Sequence, residues 1–137
     1  MTGAVSYLLV TNVLSDLIRN PAGVVAQQIE RVGEDRVYTN AIVAAELHYG
    51  ELKSGSEQLA KRVDLILSSQ TILPVDLPSD RESAVLRHAL SSQGTPIGPN
   101  DLLIAAHARS PDLTVVTGNL PEFQRVPGLK VENCLVK

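Results

Sequence analysis

The sequence lacks the residue types that mark several classes of protein. It has 137 residues, with one cysteine, no tryptophan, three tyrosines and one phenylalanine. A lone cysteine, Cys134, excludes an intrachain disulfide and fits a reducing compartment such as the cytoplasm. So few aromatic side chains argue against a single-strand nucleic-acid binder that relies on base stacking.

Excess positive charge and long apolar runs are also missing. Charged residues make up 20% of the chain, and the formal net charge is -3, so there is no basic field of the kind that non-specific DNA binders carry. The longest uncharged apolar run falls within "DLLIAAHA", far short of the roughly 20 residues that a membrane helix needs. The start of the chain does not have the pattern of a signal peptide. The sequence therefore predicts a soluble, cytoplasmic protein.

What the chain does have is enough apolar residues, 44%, for one core, so residues 1–137 are predicted to form one domain. Short apolar runs alternate with segments of helical periodicity. Strands are predicted over residues 6–10, 36–39, 71–76, 113–117 and 129–131, and helices over 12–19, 22–32, 41–53, 56–68, 79–92 and 100–109. Asn12 is predicted to cap the first helix, and Gly33 to end the second. Such alternation predicts an α/β fold with a parallel sheet covered on both faces, and ligands then bind beyond the carboxyl ends of the strands.

Glu46 shares its predicted helix face with apolar neighbours in "AIVAAELHYG". A carboxylate on a core-facing stripe is costly unless it meets a cation or hydrogen-bond donors. Glu46 is therefore a candidate site residue. The alternative is that it reaches the rim of the core or pairs with an arginine.

Asp101 opens a helix that continues "LLIAAHA" and follows the stiff entry "GTPIGPN". This entry could fix the carboxylate at the mouth of a pocket. The alternative is an ordinary acid in the first turn, favoured by the helix dipole.

A third group follows the predicted strand 113–117 in "VVTGNLPEF". Thr117 can hydrogen-bond a carboxylate or a water, and Asn119 offers a neutral oxygen. The alternative is a polar turn in which Asn119 caps a helix. Glu122 could lie near the same end of the sheet, although it is interpreted first as a solvated turn acid. Oxygen ligands at the ends of strands would suit Mg²⁺ or Mn²⁺, which can activate water against a phosphodiester.

Four stretches together resemble the PIN-domain ribonucleases, specifically VapC-type toxins of bacterial toxin-antitoxin pairs: "YLLVTNVLSDLI", "AIVAAELHYG", "GTPIGPNDLLIAAHA" and "VVTGNLPEFQRVPGLKVENCL". The resemblance implies an α/β/α sandwich and a magnesium-dependent endoribonuclease, with Mn²⁺ as a second possible ion. It also implies a homodimer, a cognate VapB-type antitoxin, operator DNA bound only through that antitoxin, and an RNA substrate such as tRNA or rRNA.

The same resemblance assigns residues to the site. Glu46 and Asp101 match the family's acidic metal ligands, and Asn119 matches the residue after its fourth strand. Thr11, Asn12 and Thr117 match supporting positions. The family's first acid, in the pattern L-L-D-T-N, has no match, because Val10 occupies its place. The resemblance therefore implies an endoribonuclease that is inactivated here by Val10.

Two further expectations concern the surface. Arg87 is the first candidate for an RNA contact, because its helix leads into the loop before Asp101. Apolar positions Leu47, Leu59, Val63 and Leu67 are candidates for an antitoxin groove or a dimer interface, although a core would show the same pattern. The three histidines lie on separate predicted helices and are interpreted as structural or surface residues.

Two other functions stay open. The chain could be a non-catalytic partner that binds an antitoxin and acts in operator-DNA complexes. A phosphatase or phosphate-accepting regulator on a similar sheet would explain acids at the ends of strands, but not the joint presence of "AAELHYG" and "GPNDLLIAAHA".

Overall fold

A five-stranded, all-parallel sheet forms the centre of the protein, in a computed structural model that describes residues 5–109 and 111–133. The strands are β1 (Tyr7–Leu9), β2 (Val37–Asn40), β3 (Thr71–Leu73), β4 (Thr114–Val116) and β5 (Lys130–Glu132). Their order across the sheet is β3-β2-β1-β4-β5. Cys134 lies outside the described residues.

Helices flank the sheet and complete the predicted α/β/α sandwich, which is confirmed. They are α1 (Thr11–Arg19), α2 (Val24–Val32), α3 (Ala41–Ser54), α4 (Glu57–Ser68), α5 (Ser79–Ser92), α6 (Pro99–Arg109) and α7 (Leu120–Phe123), with a 3₁₀ turn at Glu34–Arg36. No helix in the described part of the chain is long and apolar enough to cross a membrane.

The core lies between the sheet and these helices. Strands β1 and β4 are apolar because a parallel sheet is buried on both faces; Leu8, Leu9 and Val115 are fully buried. Helix α6 is also buried, as its unbroken apolar sequence predicts. Leu47, Val63 and Leu67 are core residues, and Leu59 packs against the core, so the interpretation of these four as a docking surface is wrong.

Helix ends follow local chemistry, with one correction. Helix α2 ends at Gly33, whose φ of 99° suits glycine, as predicted. Helix α1 begins one residue before Asn12, so the prediction that Asn12 caps it is wrong. Val10 is the capping residue: its carbonyl accepts the Leu14 amide at 3.1 Å, but its side chain makes no capping hydrogen bond.

Other boundaries also differ from the prediction. The third strand ends at Leu73, because Pro74 has no N–H with which to extend the ladder. Arg36 belongs to the 3₁₀ turn before β2 rather than to the strand. The predicted turn over residues 119–123 contains the short helix α7.

The order of the strands creates a crevice. From β1 the chain adds β2 and β3 on one side, and later adds β4 and β5 on the other side. The connection after β1 therefore runs to one side of the sheet, and the connection after β4 runs to the other. This divergence opens a crevice at the carboxyl ends of these two neighbouring strands.

Candidate active site

A pocket of about 400 Å³ occupies this crevice. It contains seven of the eight residues singled out in the sequence: Val10, Thr11, Asn12, Glu46, Asp101, Thr117 and Asn119. They come from the ends of β1 and β4 and from helices α1, α3 and α6, so only the folded chain brings them together.

Glu46 is half-buried on the pocket side of α3, and both of its carboxylate oxygens accept hydrogen bonds. The Thr11 hydroxyl donates to Oε1, and Asn100 Nδ2 donates to Oε2 at 3.2 Å. No ion pair to Glu46 occurs within residues 5–109 and 111–133, so the alternative of pairing with an arginine finds no support. These neutral donors hold the carboxylate in place without cancelling its charge.

Asp101 lies in the first turn of α6, in an environment that resists its ionisation. Burial, a hydrogen bond with the Glu122 side chain, and the negative charges of Glu122 and Glu46 raise the pKa of Asp101 to about 7. A bound cation would oppose all of these effects, because it compensates both the desolvation and the like charges.

Glu122 was interpreted as a solvated turn acid, and that interpretation is wrong. Its side chain lies against Asp101, and its Oε1 is buried without a hydrogen-bond partner among the described residues. The spacing offered a signal: Glu122 follows Asn119 by three residues, and Pro121 between them favours the first turn of a helix. In such a turn both residues lie on one face.

The turn after β4 is held by one hydrogen bond within the turn and by one to α1. Thr117 is fully buried, and its Oγ1 accepts a hydrogen bond from the Asn119 amide at 2.9 Å. Asn12 Oδ1 accepts the Gly118 amide at 3.2 Å. Asn119 begins α7, as the alternative held, but its side chain makes no capping hydrogen bond.

The residue pattern that defines the PIN domain matches this chain over residues 7–129. The chain belongs to the PIN-domain family.

Similar proteins match this PIN domain over nearly its whole length. It is 34% identical over 128 residues to the tRNA(fMet)-specific endonuclease VapC of Salmonella typhimurium, covering 93% of this chain and 96% of that protein. It is 37% identical over 129 residues to ribonuclease VapC2 of Haemophilus influenzae, with coverage of 93% and 96%. It is also similar to a chain of Rickettsia felis VapBC2 bound to a promoter DNA fragment, with a TM-score of 0.86, 35% identity and coverage of 92% and 96%.

In this PIN domain two positions of the pocket wall are apolar, Val10 and Phe123. Val10 is 3% exposed and lines the pocket beside Glu46 and Asp101. Val10 directly follows β1 and belongs to the same pocket wall as the two carboxylates. Valine contributes neither charge nor a ligand atom there.

Two arginines line different cavities. Arg87 is exposed on α5 and lines a separate cavity of about 750 Å³ with Ser83 and His88, so the structure does not bring it to the acidic pocket. Arg19, in the last turn of α1, does line that pocket. Arg19 was one of several basic residues in the sequence, and only the packing of α1 beside the crevice distinguishes it.

Proposed function

We propose that this PIN domain is a metal-dependent endoribonuclease toxin of the VapC type, with little activity as it stands because Val10 occupies the place of a carboxylate. The observation that carries the proposal is the meeting of Glu46 and Asp101 in one pocket, with the pKa of Asp101 raised to about 7. The ribonuclease names of its relatives support RNA as the substrate.

The pocket has the chemistry of a site for Mg²⁺ or Mn²⁺. Glu46 and Asp101 would be the charged ligands and Asn119 a neutral oxygen ligand, which suits a hard cation that keeps several waters. Glu122, with a buried and unpartnered oxygen, is a further carboxylate beside them. When bound, the ion would activate water and neutralise charge on the phosphodiester.

The chain's own residues would prepare the pocket for this chemistry. Thr11 and Asn100 hold the two oxygens of Glu46 in one orientation. Asn12 and Thr117 fix the turn that carries Asn119. Arg19 offers a positive charge at the pocket to a phosphate of the RNA, the kind of contact that positions a strand. Arg87, in its own cavity, would lie outside this contact.

Partners follow from the relatives and the surface. We propose a cognate VapB-type antitoxin as the partner, with operator DNA bound only through that antitoxin. The Rickettsia felis complex with promoter DNA supports both of these partners. We also propose tRNA or rRNA as the substrate and a cytoplasmic location. A homodimer is supported by an apolar groove of about 1070 Å³ between α3 and the loop before α5. Tyr49 and Leu77 line it and are 66% and 75% exposed.

Val10 favours a second candidate function. A pocket with one carboxylate replaced by a buried valine suits a non-catalytic partner that only binds an antitoxin and acts in operator complexes. The two candidates share every partner except RNA, so activity after restoring the acid separates them.

The experiment compares this chain with Val10→Asp in cleavage of total cellular RNA with Mg²⁺, Mn²⁺ or chelator. We expect the rate to rise by at least about 100-fold in Val10→Asp, since even a group that only orients a metal ligand contributes roughly 10- to 100-fold. An aspartate at this position would also cap α1, which contributes about 1 kcal/mol to stability.

Val10→Asn is the matched control, because asparagine caps a helix as well as aspartate but adds no charge. Metal-dependent cleavage by Val10→Asp, with Val10→Asn near the level of the unchanged chain, supports the nuclease. If Val10→Asp cuts no RNA with either metal, the nuclease proposal fails and the non-catalytic function is favoured.

A further inference from the structure

A buried hydrogen bond joins the start of α3 to the end of α6. Asn40 is fully buried, His107 is 7% exposed, and Asn40 Nδ2 lies 3.0 Å from His107 Nδ1. Asn40 Oδ1 accepts the Val43 amide at 3.0 Å, so Nδ2 is the amide atom that faces the histidine. Nδ2 has only hydrogens to offer; His107 Nδ1 must therefore accept, and the ring is neutral with its proton on Nε2.

The same two helices are joined again beside the acidic pocket. Asn100, at the start of α6, donates to Glu46 in the second turn of α3. The helices thus run antiparallel, and the two polar links lie near the two ends of α6 and within the first two turns of α3. Glu46 follows Asn40 by six residues, and Asp101 precedes His107 by six, so both spans are about 9 Å at 1.5 Å per residue.

We propose that the Asn40–His107 pair is a positioning device that holds α3 and α6 in the register that brings the Glu46 and Asp101 carboxylates to one cation site. The inference rests on the proposed function of that site. Apolar packing alone does not select a register strongly, because it is non-directional. A buried hydrogen bond is directional, and a slip between the helices would leave two buried polar groups unpaired.

The charge state of His107 suits this role. Burial lowers its pKa, while the negative charge of Asp76, in the loop between β3 and α5, acts in the opposite direction. The neutral ring keeps Nδ1 free to accept the hydrogen bond at neutral pH.

The test measures Mn²⁺ affinity by calorimetry at pH 7.5, on variants of the full chain that circular dichroism shows to be folded. His107→Leu removes the acceptor, and we expect Mn²⁺ affinity to fall about tenfold, the lower end of the effect of groups that orient metal ligands. His107→Gln keeps an acceptor oxygen, and its affinity should stay within about threefold of the unchanged chain.

Asn40→Ser separates the link from the helix cap. Serine still accepts the Val43 amide as an N-cap but cannot reach His107, so it should resemble His107→Leu in Mn²⁺ affinity. Val63→Ala is the control for lost stability: Val63 is a buried residue of α4, a helix that carries neither member of the pair, and its truncation should lower stability without changing Mn²⁺ affinity.

A spectroscopic measurement tests the contact itself. In the unchanged chain, ¹⁵N NMR should show His107 as the neutral form protonated on Nε2. Asn40→Asp keeps the cap but places a carboxylate against Nδ1, so the His107 pKa should rise by about one unit or more.

The outcomes separate the inference from the proposed function. If the unchanged chain and Val10→Asp both fail to bind Mn²⁺, the cation site is wrong and the positioning role falls with it. If they bind, and His107→Leu and Asn40→Ser bind equally well, the pair is only structural. An unchanged His107 pKa in Asn40→Asp would refute the contact.

Discussion

Two groups of potential metal ligands involve helix α3, and they differ in their surroundings. Glu46 faces the pocket at the end of β1, together with Asp101. On the surface, His48 and Glu51 of α3 and Asp64 of α4 have ligand atoms that all lie within 4.8 Å of one another. His48 Nδ1 is 2.5 Å from Glu51 Oε1, so this second group contains its own hydrogen bond.

The comparison shows that proximity of ligands does not by itself make a site. His48 and Asp64 are exposed, where water solvates charge and screens repulsion. In the pocket, burial and neighbouring carboxylates oppose the ionisation of Asp101, and Glu122 has a buried oxygen with no hydrogen-bond partner in the part of the chain that the structure describes. A cation would relieve this unfavourable environment, whereas the surface group has nothing comparable to relieve.

The largest expected effect is a difference between two glutamates of the same helix. Glu46→Gln should weaken Mn²⁺ binding by about 100-fold or more, because it removes a charged ligand. Glu51→Gln makes the same chemical change in the surface group and should leave Mn²⁺ affinity at the pocket unchanged. Calorimetric titration of both variants checks this, and similar losses in both would contradict the assignment of the pocket.

The second effect is a dependence of stability on pH. Because the pKa of Asp101 is raised to about 7, the folded protein holds this proton more tightly than the unfolded chain does. With chelator present, the contribution of Asp101 to the free energy of unfolding should be largest below about pH 4. It should fall as the pH rises to about 7, by at most about 2 kcal/mol after allowance for solvent screening.

Asp101→Asn isolates this contribution. Urea unfolding at several pH values should show a smaller fall for the variant than for the unchanged chain, and added Mn²⁺ should restore stability only where Asp101 is present. Identical pH profiles for the two proteins would mean that the environment of Asp101 is no more unfavourable than that of a surface carboxyl group.

A third, smaller effect concerns the hydroxyl group that holds Glu46. Thr11→Val has nearly the same shape but cannot donate to Glu46 Oε1, so Mn²⁺ affinity should fall about tenfold, the effect of losing one hydrogen bond to a charged group. Thr11→Ser retains the hydroxyl and serves as the control. Equal affinities for the two variants would show that the hydrogen bond does not orient the ligand.

The smallest effect separates two arginines. Made in the Val10→Asp protein, Arg19→Ala should weaken RNA binding by about threefold. It should also reduce the slope of log affinity against log salt concentration by about 0.7, the value for one contact to a single-stranded phosphate. Arg87→Ala should change neither, because Arg87 lines a different cavity. RNA binding is measured at several salt concentrations, with chelator present to prevent cleavage. A loss of affinity in Arg87→Ala, with none in Arg19→Ala, would contradict this prediction.

Much of the fold could be predicted because its signals are local. The apolar runs before Thr11 and Thr117 mark β1 and β4, and the unbroken apolar pattern after Asp101 predicts the buried helix α6. The exact boundaries were harder to predict. The start of α1, for example, depends on the position of the Val10 carbonyl, which accepts the Leu14 amide.

The candidate site was predictable to a different extent. Glu46 and Asp101 stand out as carboxylates in apolar segments, and the resemblance to PIN-domain proteins assigned the others. The only signal for Glu122 was its spacing from Asn119 and Pro121, and Arg19 is an exposed arginine that its sequence neighbours do not distinguish from the other basic residues. The RNA contact predicted for Arg87 stays a prediction, and nearness along the chain to the loop before Asp101 did not reveal that Arg87 lines a separate cavity.

The sequence by itself determined the alternation of strands and helices, the acids in apolar surroundings and the valine at position 10. These depend on residue type and short-range spacing. Only the tertiary structure decided which side chains meet: Asp101 with Glu122, Asn100 with Glu46, and Asn40 with His107. Such contacts join residues from 21 to 67 positions apart, and the distances and burial that set their energies exist only once the sheet has brought its strand ends together.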